Sequence, residues 1–259
     1  MTTTELIILV LVFFLTSVVG VVTGSNSLIA VPVMFQFGID EKVAVATNMF
    51  GLTFMAIGGT IPFLRQGKIE AKRLSPLIIL TLIGSALGAL LVGYITNHSI
   101  KLIVSIAMFV VVVFTLIRPN GSISKNDDAA ETVSPKYSLY AHPAGLIVTF
   151  LLAIYGGLYS GGYVTILTAV FITFLGMSYS ESVGATKFVN VFSSSVATLV
   201  FMWQRLVDYK LGAILAVTMF IGAYIGAHYA VRMNEVWLKR IFLSTVLILA
   251  VKTLYDFAI

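Results

Sequence analysis

Lys187 raises the first chemical question in this chain. It falls inside the apolar run 182–203, within Gly184-Ala185-Thr186-Lys187-Phe188-Val189-Asn190. An ammonium at the centre of a membrane helix costs about 2.5–3.5 kcal/mol on insertion scales, so it should face a polar cavity or a counter-charge. The 11 acidic residues all lie at run ends or in loops, and none is placed to pair with it. A bound anion would supply the missing charge. The competing reading is snorkelling, because Lys187 stands about two turns from the helix start and its stem could reach the interface. On a helix, Lys187, Asn190 and Ser194 share one face by i+3 and i+7 spacing, with Thr186 beside them.

Two glycine-rich interruptions offer complementary chemistry. The first is Gly20-Val21-Val22-Thr23-Gly24-Ser25-Asn26-Ser27, followed by a short apolar stretch containing Pro32. The second is Gly156-Gly157-Leu158-Tyr159-Ser160-Gly161-Gly162-Tyr163, followed by the run 164–175. Glycine permits backbone conformations that helices forbid, and small hydroxyl residues bond where the backbone stops bonding to itself. A half-helix beginning near Asn26 or Gly162 would point unpaired N–H groups, at the positive end of its dipole, into the membrane interior. Such a terminus attracts anions. Glycines that merely allow close helix packing are the alternative; the accompanying serine, asparagine and tyrosine favour substrate contact. Gly84, Gly88, Gly222 and Gly226 read the other way, as close-packing positions four apart in continuous apolar runs.

The elements that must position these residues are membrane helices. Mean hydropathy is +1.02, with 59% hydrophobic and 10% charged residues in 259, which excludes a soluble fold. Apolar runs cover 6–22, 28–37, 43–64, 74–95, 100–117, 144–158, 164–175, 182–203, 211–230 and 238–257. The runs 28–37 and 164–175 are too short to span a bilayer alone. The first run has no Lys or Arg before it and reads as a retained helix rather than a signal peptide. Asp40, Glu41 and Glu181 precede long helices, as N-terminal charges should. The fold class is therefore all-α: a polytopic transmembrane helical bundle with two homologous halves, each with a Gly-rich broken first helix.

The halves match at a nearly fixed spacing. Gly84 and Gly222, Gln66 and Gln204, and Lys101 and Lys239 are each 138 apart (222 − 84, 204 − 66, 239 − 101). Ala46-Thr47 and Ala185-Thr186 are 139 apart (185 − 46), which sets Asn48 opposite Lys187. This divides the chain into a first transmembrane repeat at 1–118, a hydrophilic linker at 119–142 and a second repeat at 143–259. Repeats with interrupted helices at equivalent places are a pattern of secondary transporters, whose site lies where the repeats meet. The loop with Arg65, Lys68, Lys72 and Arg73 should face the cytoplasm. An even number of spans per half gives parallel repeats and an odd number gives inverted ones; both stay open, with a lean towards inversion.

The glycine-rich break followed by proline (Gly20 to Pro32), the start Ala44 to Asn48, and the counterparts Gly156 to Gly162 and Gly184 to Lys187 with Asn190 together resemble the sulfite exporter TauE/SafE family. The resemblance covers nearly the whole chain. It implies export or uptake of sulfite, an organosulfonate or a related oxyanion across a bacterial inner membrane. Ser25-Asn26-Ser27, where that family commonly has more glycine, and Ala169, where proline is common, depart from the pattern.

The expected function is alternating-access transport of a small anion. The expected substrate contacts are Gly24, Ser25, Asn26, Ser27, Thr47, Asn48, Ser160, Gly161, Gly162, Tyr163, Thr186, Lys187, Asn190 and Ser194. A passive anion channel on the same scaffold is the alternative. Partners are the anion and the lipid bilayer, with room for a homo-oligomer. The basic residues are scattered at run ends and form no nucleic-acid patch. An enzyme is not expected: His98, His142 and His228 are far apart, cysteine is absent, and no hydrolase motif occurs. No cofactor or metal is called for.

Overall fold

The protein is described here by a computed structural model covering residues 2–24, 26–67, 69, 71–117, 143–232 and 237. The expected linker 119–142, the last apolar run 238–257 and Ser25 lie outside these residues. Among the described residues the architecture is all-helical, in the order α1 (Thr3–Thr23), α2 (Asn26–Gln36), α3 (Glu41–Arg65), α4 (Ser75–Tyr94), α5 (Asn97–Ile117), α6 (Pro143–Leu158), α7 (Tyr163–Leu175), α8 (Tyr179–Trp203) and α9 (Tyr209–Ala230).

Helices α1, α3, α4, α8 and α9 are long and apolar enough to cross a membrane. At 11 and 13 residues, α2 and α7 rise only about 16 and 20 Å, short of the ~30 Å hydrocarbon core. The molecule is a multi-pass membrane protein. Large hydrophobic side chains such as Leu15, Ile83 and Leu199 are exposed on the outside of these helices, the apolar surface that a bilayer-spanning helix presents.

The acidic residues that precede the long helices do cap them. The Asp40 carboxylate accepts from the Lys42 and Val43 amides, and Ser178 with Glu181 forms a capping box at α8. Asp208 caps α9. An exposed cluster ties α3 to α5, with Lys101 Nζ 2.7 Å from Glu41 and the Asn97 amide on Asp40.

Glycines set the closest helix approaches. A Cβ at Gly88 would strike the Ile154 carbonyl of α6, and one at Gly226 the Val18 carbonyl of α1. Gly84 and Gly222 fit the same interfaces one turn away, against Ala153 and Ser17. The four glycines are thus packing positions, as their spacing suggested.

These contacts also fix chain direction. Gly222 and then Gly226 meet Ser17 and then Val18, so α1 and α9 run the same way; Gly51 against Leu215 and Gly59 against Ala223 add α3 to that group. Helices α4 and α6 run together, as Gly84 on Ala153 and Gly88 on Leu158 require. Helix α8 opposes α3, since Thr53 meets Thr198 while Gly59 meets Lys187.

Candidate functional site

Gly24 ends α1 in the left-handed conformation, at φ 71°. A reversal follows. The Asn26 amide nitrogen donates to the hydroxyls of Thr16 and Ser17 at 2.9 and 3.0 Å. Those partners lie ten and nine residues earlier, within reach only if α2 folds back along α1. Gly20 makes room for this, because its face is filled by Asn26 Cβ at 3.1 Å from where a glycine Cβ would stand. The second break repeats the device, with Gly156 filled by the ring of Tyr163 and Gly162 at φ 77° leading into α7.

The two breaks meet. Thr165 Oγ1 donates to the Thr23 carbonyl at 2.6 Å. The hydroxyls of Ser27 and Ser160 lie 2.9 Å apart, and the Tyr159 hydroxyl donates to the Ser27 carbonyl at 3.0 Å. Gly24 packs on the backbone of Val164 and Thr165, at the N-terminus of α7. Helix α3 joins through Asn48, whose amide nitrogen donates to Ser27 Oγ at 2.9 Å.

Lys187 enters from α8. Its side chain is 3% exposed, so it does not snorkel, and Nζ donates to the Gly20 carbonyl at 3.3 Å. That carbonyl also accepts from the Gly24 amide at 2.7 Å. The ammonium therefore sits at the negative end of the α1 dipole, in a turn with no basic residue of its own. Among the described residues no carboxylate is buried. A cavity of about 20 Å³, near the size one water centre needs, is lined by Gly20, Gly24, Asn26, Ser27, Leu52, Met55, Ala56, Ser160, Val164, Lys187 and Asn190.

Six expected contacts thus share one cavity: Gly24, Asn26, Ser27, Ser160, Lys187 and Asn190. Asn48 stands one hydrogen bond behind, on Ser27. The others are placed elsewhere. Thr47 Oγ1 accepts from the Asp208 amide at 3.0 Å, and Thr186 bonds Val183 and Thr168. Ser194 donates to the Asn190 carbonyl of its own helix. Gly161 accepts from the Tyr155 hydroxyl. Gly162 and Tyr163 line the turn into α7, not the cavity.

Sequence reading did not single out Thr16, Ser17, Tyr155 or Thr165, and named Tyr159 only as part of the second break; all five hold the breaks in shape. Hydroxyl-bearing residues in runs otherwise made of Leu, Ile, Val and Phe are the signal that could have found them. Among the described residues no group of His, Asp and Glu is arranged to hold a metal.

The chain is similar to curated membrane transporter proteins over almost its full length. A protein of Sinorhizobium sp named probable membrane transporter protein ORF9 is 24% identical over 94% of this chain and 90% of its own. A probable membrane transporter protein of Haemophilus influenzae is 23% identical over 97% and 95%, and the probable membrane transporter protein YfcA of Escherichia coli K12 is 22% identical over 96% and 89%. No solved structure matches. The family model described as sulfite exporter TauE/SafE matches residues 9–253, and with that coverage the chain belongs to the sulfite exporter TauE/SafE family.

Proposed function

We propose that this protein is a membrane transporter that carries a small oxyanion, sulfite or an organosulfonate, by alternating access between two inverted repeats. The observation that carries the reading is Lys187: an ammonium held between two helix breaks, with one backbone carbonyl for a partner and no buried carboxylate among the described residues. An anion in the cavity would take the place of the missing counter-charge. The similar proteins carry transporter names and the family is named for sulfite export, which supports the same class.

The helix contacts support the repeat. Exchanging α1, α2, α3 and α4 for α6, α7, α8 and α9 turns the α1 to α9 contact into α6 to α4, and the α3 to α9 contact into α8 to α4. Equivalent helices α3 and α8 run in opposite directions, as inverted repeats require. A cavity of about 20 Å³ is too small for a sulfite ion with its waters, so transport requires the two breaks to move apart. Flux through proteoliposomes tests the reading. Saturable uptake of labelled sulfite or methanesulfonate supports it; flux that never saturates, or single-channel currents, would favour the channel.

A further inference from the structure

Hydrogen bonds between the two halves gather towards the end of the bundle where α1, α3 and α9 begin. Gln204, the C-cap of α8, reaches α4, where its Nε2 donates to the carbonyls of Ala89 and Leu90 at 3.3 and 3.2 Å. The amide rests on the open face of Gly93, where a Cβ would stand 3.0 Å from Nε2. Thr47 on α3 accepts from the Asp208 amide, just before α9, at 3.0 Å. Deeper in, and beyond Asn190 along α8, the hydroxyls of Thr53 on α3 and Thr198 on α8 lie 3.0 Å apart.

The counterparts at the other end make none of these bonds. Helix α3 also ends on a glutamine, Gln66, placed 138 residues before Gln204 (204 − 66). Each glutamine is followed by a left-handed residue, Gly67 at φ 67° and Arg205 at φ 58°. Yet Gln66 is exposed, and among the described residues its side chain makes no hydrogen bond. Thr60, 138 residues before Thr198 (198 − 60), donates to Ala56 of its own helix. Thr186, which matches Thr47, bonds Val183 and Thr168 of its own half. Arg65 meets the Tyr224 hydroxyl at 3.5 Å, a long contact in an exposed place. The sequence builds this inequality in. Val231 stands where Gly93 would be repeated (231 − 93 = 138), and Val191 or Phe192 where Thr53 would be, so the far end lacks both the glycine seat and the second hydroxyl.

We propose that Gln204, Thr198 and Thr53 form a one-sided gate, so that the carrier rests closed at the end where α1 begins and opens more readily at the other. Helices α3 and α8 both line the cavity. A path from the breaks to the tied end therefore has to draw α8 away from α3 and α4, and these bonds oppose that movement. Bonds present in one conformation and absent from its mirror image shift the population between them. The inference rests on the transporter reading above and adds which end is held.

The chain contains no cysteine, so introduced pairs carry the only spin labels. Full-length protein in liposomes is labelled at Tyr94 and Trp203, exposed residues that end α4 and α8, or at Leu64 and Tyr229, exposed residues near the ends of α3 and α9. Pulsed electron paramagnetic resonance reads the distances. Without anion, the wild type should give a narrow Tyr94–Trp203 distribution and a broader Leu64–Tyr229 one. Gln204→Leu and Thr198→Val should each raise the ratio of long to short Tyr94–Trp203 distances by about 3-fold to 20-fold, the range for a lost interhelical hydrogen bond. Gln66→Leu should leave both pairs unchanged. A wild-type Tyr94–Trp203 distribution as broad as the other, Gln66→Leu acting like Gln204→Leu, or no change in either gate variant would overturn the gate, while saturable sulfite flux through the unlabelled protein left the transporter reading standing. Absence of saturable flux from folded wild-type protein would overturn both. The wild-type comparison of the two ends decides the matter even if a variant does not fold.

Discussion

Replacing Lys187 by methionine separates what the lysine does for an anion from what it does for the fold. Methionine keeps a long unbranched stem and removes the charge. A charge-assisted hydrogen bond contributes about 1.5–3 kcal/mol to binding. Two unit charges ~4 Å apart attract by about 4 kcal/mol at an effective dielectric constant of about 20. Anion affinity should therefore fall by at least about 10-fold and up to about 1,000-fold. Stability should move little or rise. The substitution loses a contact at the α1 C-terminus, about 0.3–1 kcal/mol, and removes an ammonium that is 3% exposed and has no buried carboxylate beside it among the described residues. Isothermal titration with sulfite, beside thermal unfolding in the same detergent, reads both quantities. A folded Lys187→Met protein that binds sulfite within about threefold of wild type, a difference under ~1 kcal/mol, would refute the reasoning. So would a large loss of stability with affinity intact, which would make the lysine a helix-terminal cation and nothing more.

Further substitutions probe the frame around that site. Tyr159→Phe removes the hydroxyl on the Ser27 carbonyl; a small loss of about 0.6 kcal/mol is expected, the average for an interhelical hydrogen bond in a membrane protein, read as a lowered melting temperature. Gly88→Ala and Gly226→Ala each push a methyl onto a neighbouring helix carbonyl and should destabilise by about 1–3 kcal/mol, whereas two fully stable variants would contradict the packing described. Lys101→Ala breaks an ion pair whose lysine is 58% exposed, and should cost no more than about 1 kcal/mol, less in high salt. Titrating salt during thermal unfolding would check that contrast with Lys187.

Much of the fold was legible because the bilayer leaves few options. Runs of about 20 apolar residues have to be helices, and α1, α3, α4, α8 and α9 emerge where hydropathy puts them. The breaks were legible too, since α2 and α7 cannot span and glycine precedes each. The packing glycines declared themselves by spacing. What periodicity could not carry was contact between residues far apart in the chain. The reversal at Gly24 lays Asn26 beside Ser17, and the meeting of the breaks sets Thr165 on Thr23.

Neighbours in the local pattern part company in the structure. Thr47-Asn48 and Thr186-Lys187 read as paired contacts, yet adjacent residues on a helix point about 100° apart. Asn48 and Lys187 turn to the breaks, while Thr47 and Thr186 turn to Asp208 and Thr168. The second break carried the same glycine signature as the first. Its equivalent space is occupied by the ring of Tyr163 where the first break has the smaller Asn26. Only the first break contributes its post-glycine side chain to the cavity.

The most direct measurement is a structure of the protein with selenite, whose selenium scatters anomalously and whose charge and shape mimic sulfite. One anomalous peak is expected between the breaks, within hydrogen-bond distance of Lys187 Nζ and bordered by Asn26 and Asn190. A peak confined to the cleft at Thr2, Ile39 and Lys210, or bound anion with Lys187 still on the Gly20 carbonyl and its cavity empty, would contradict it.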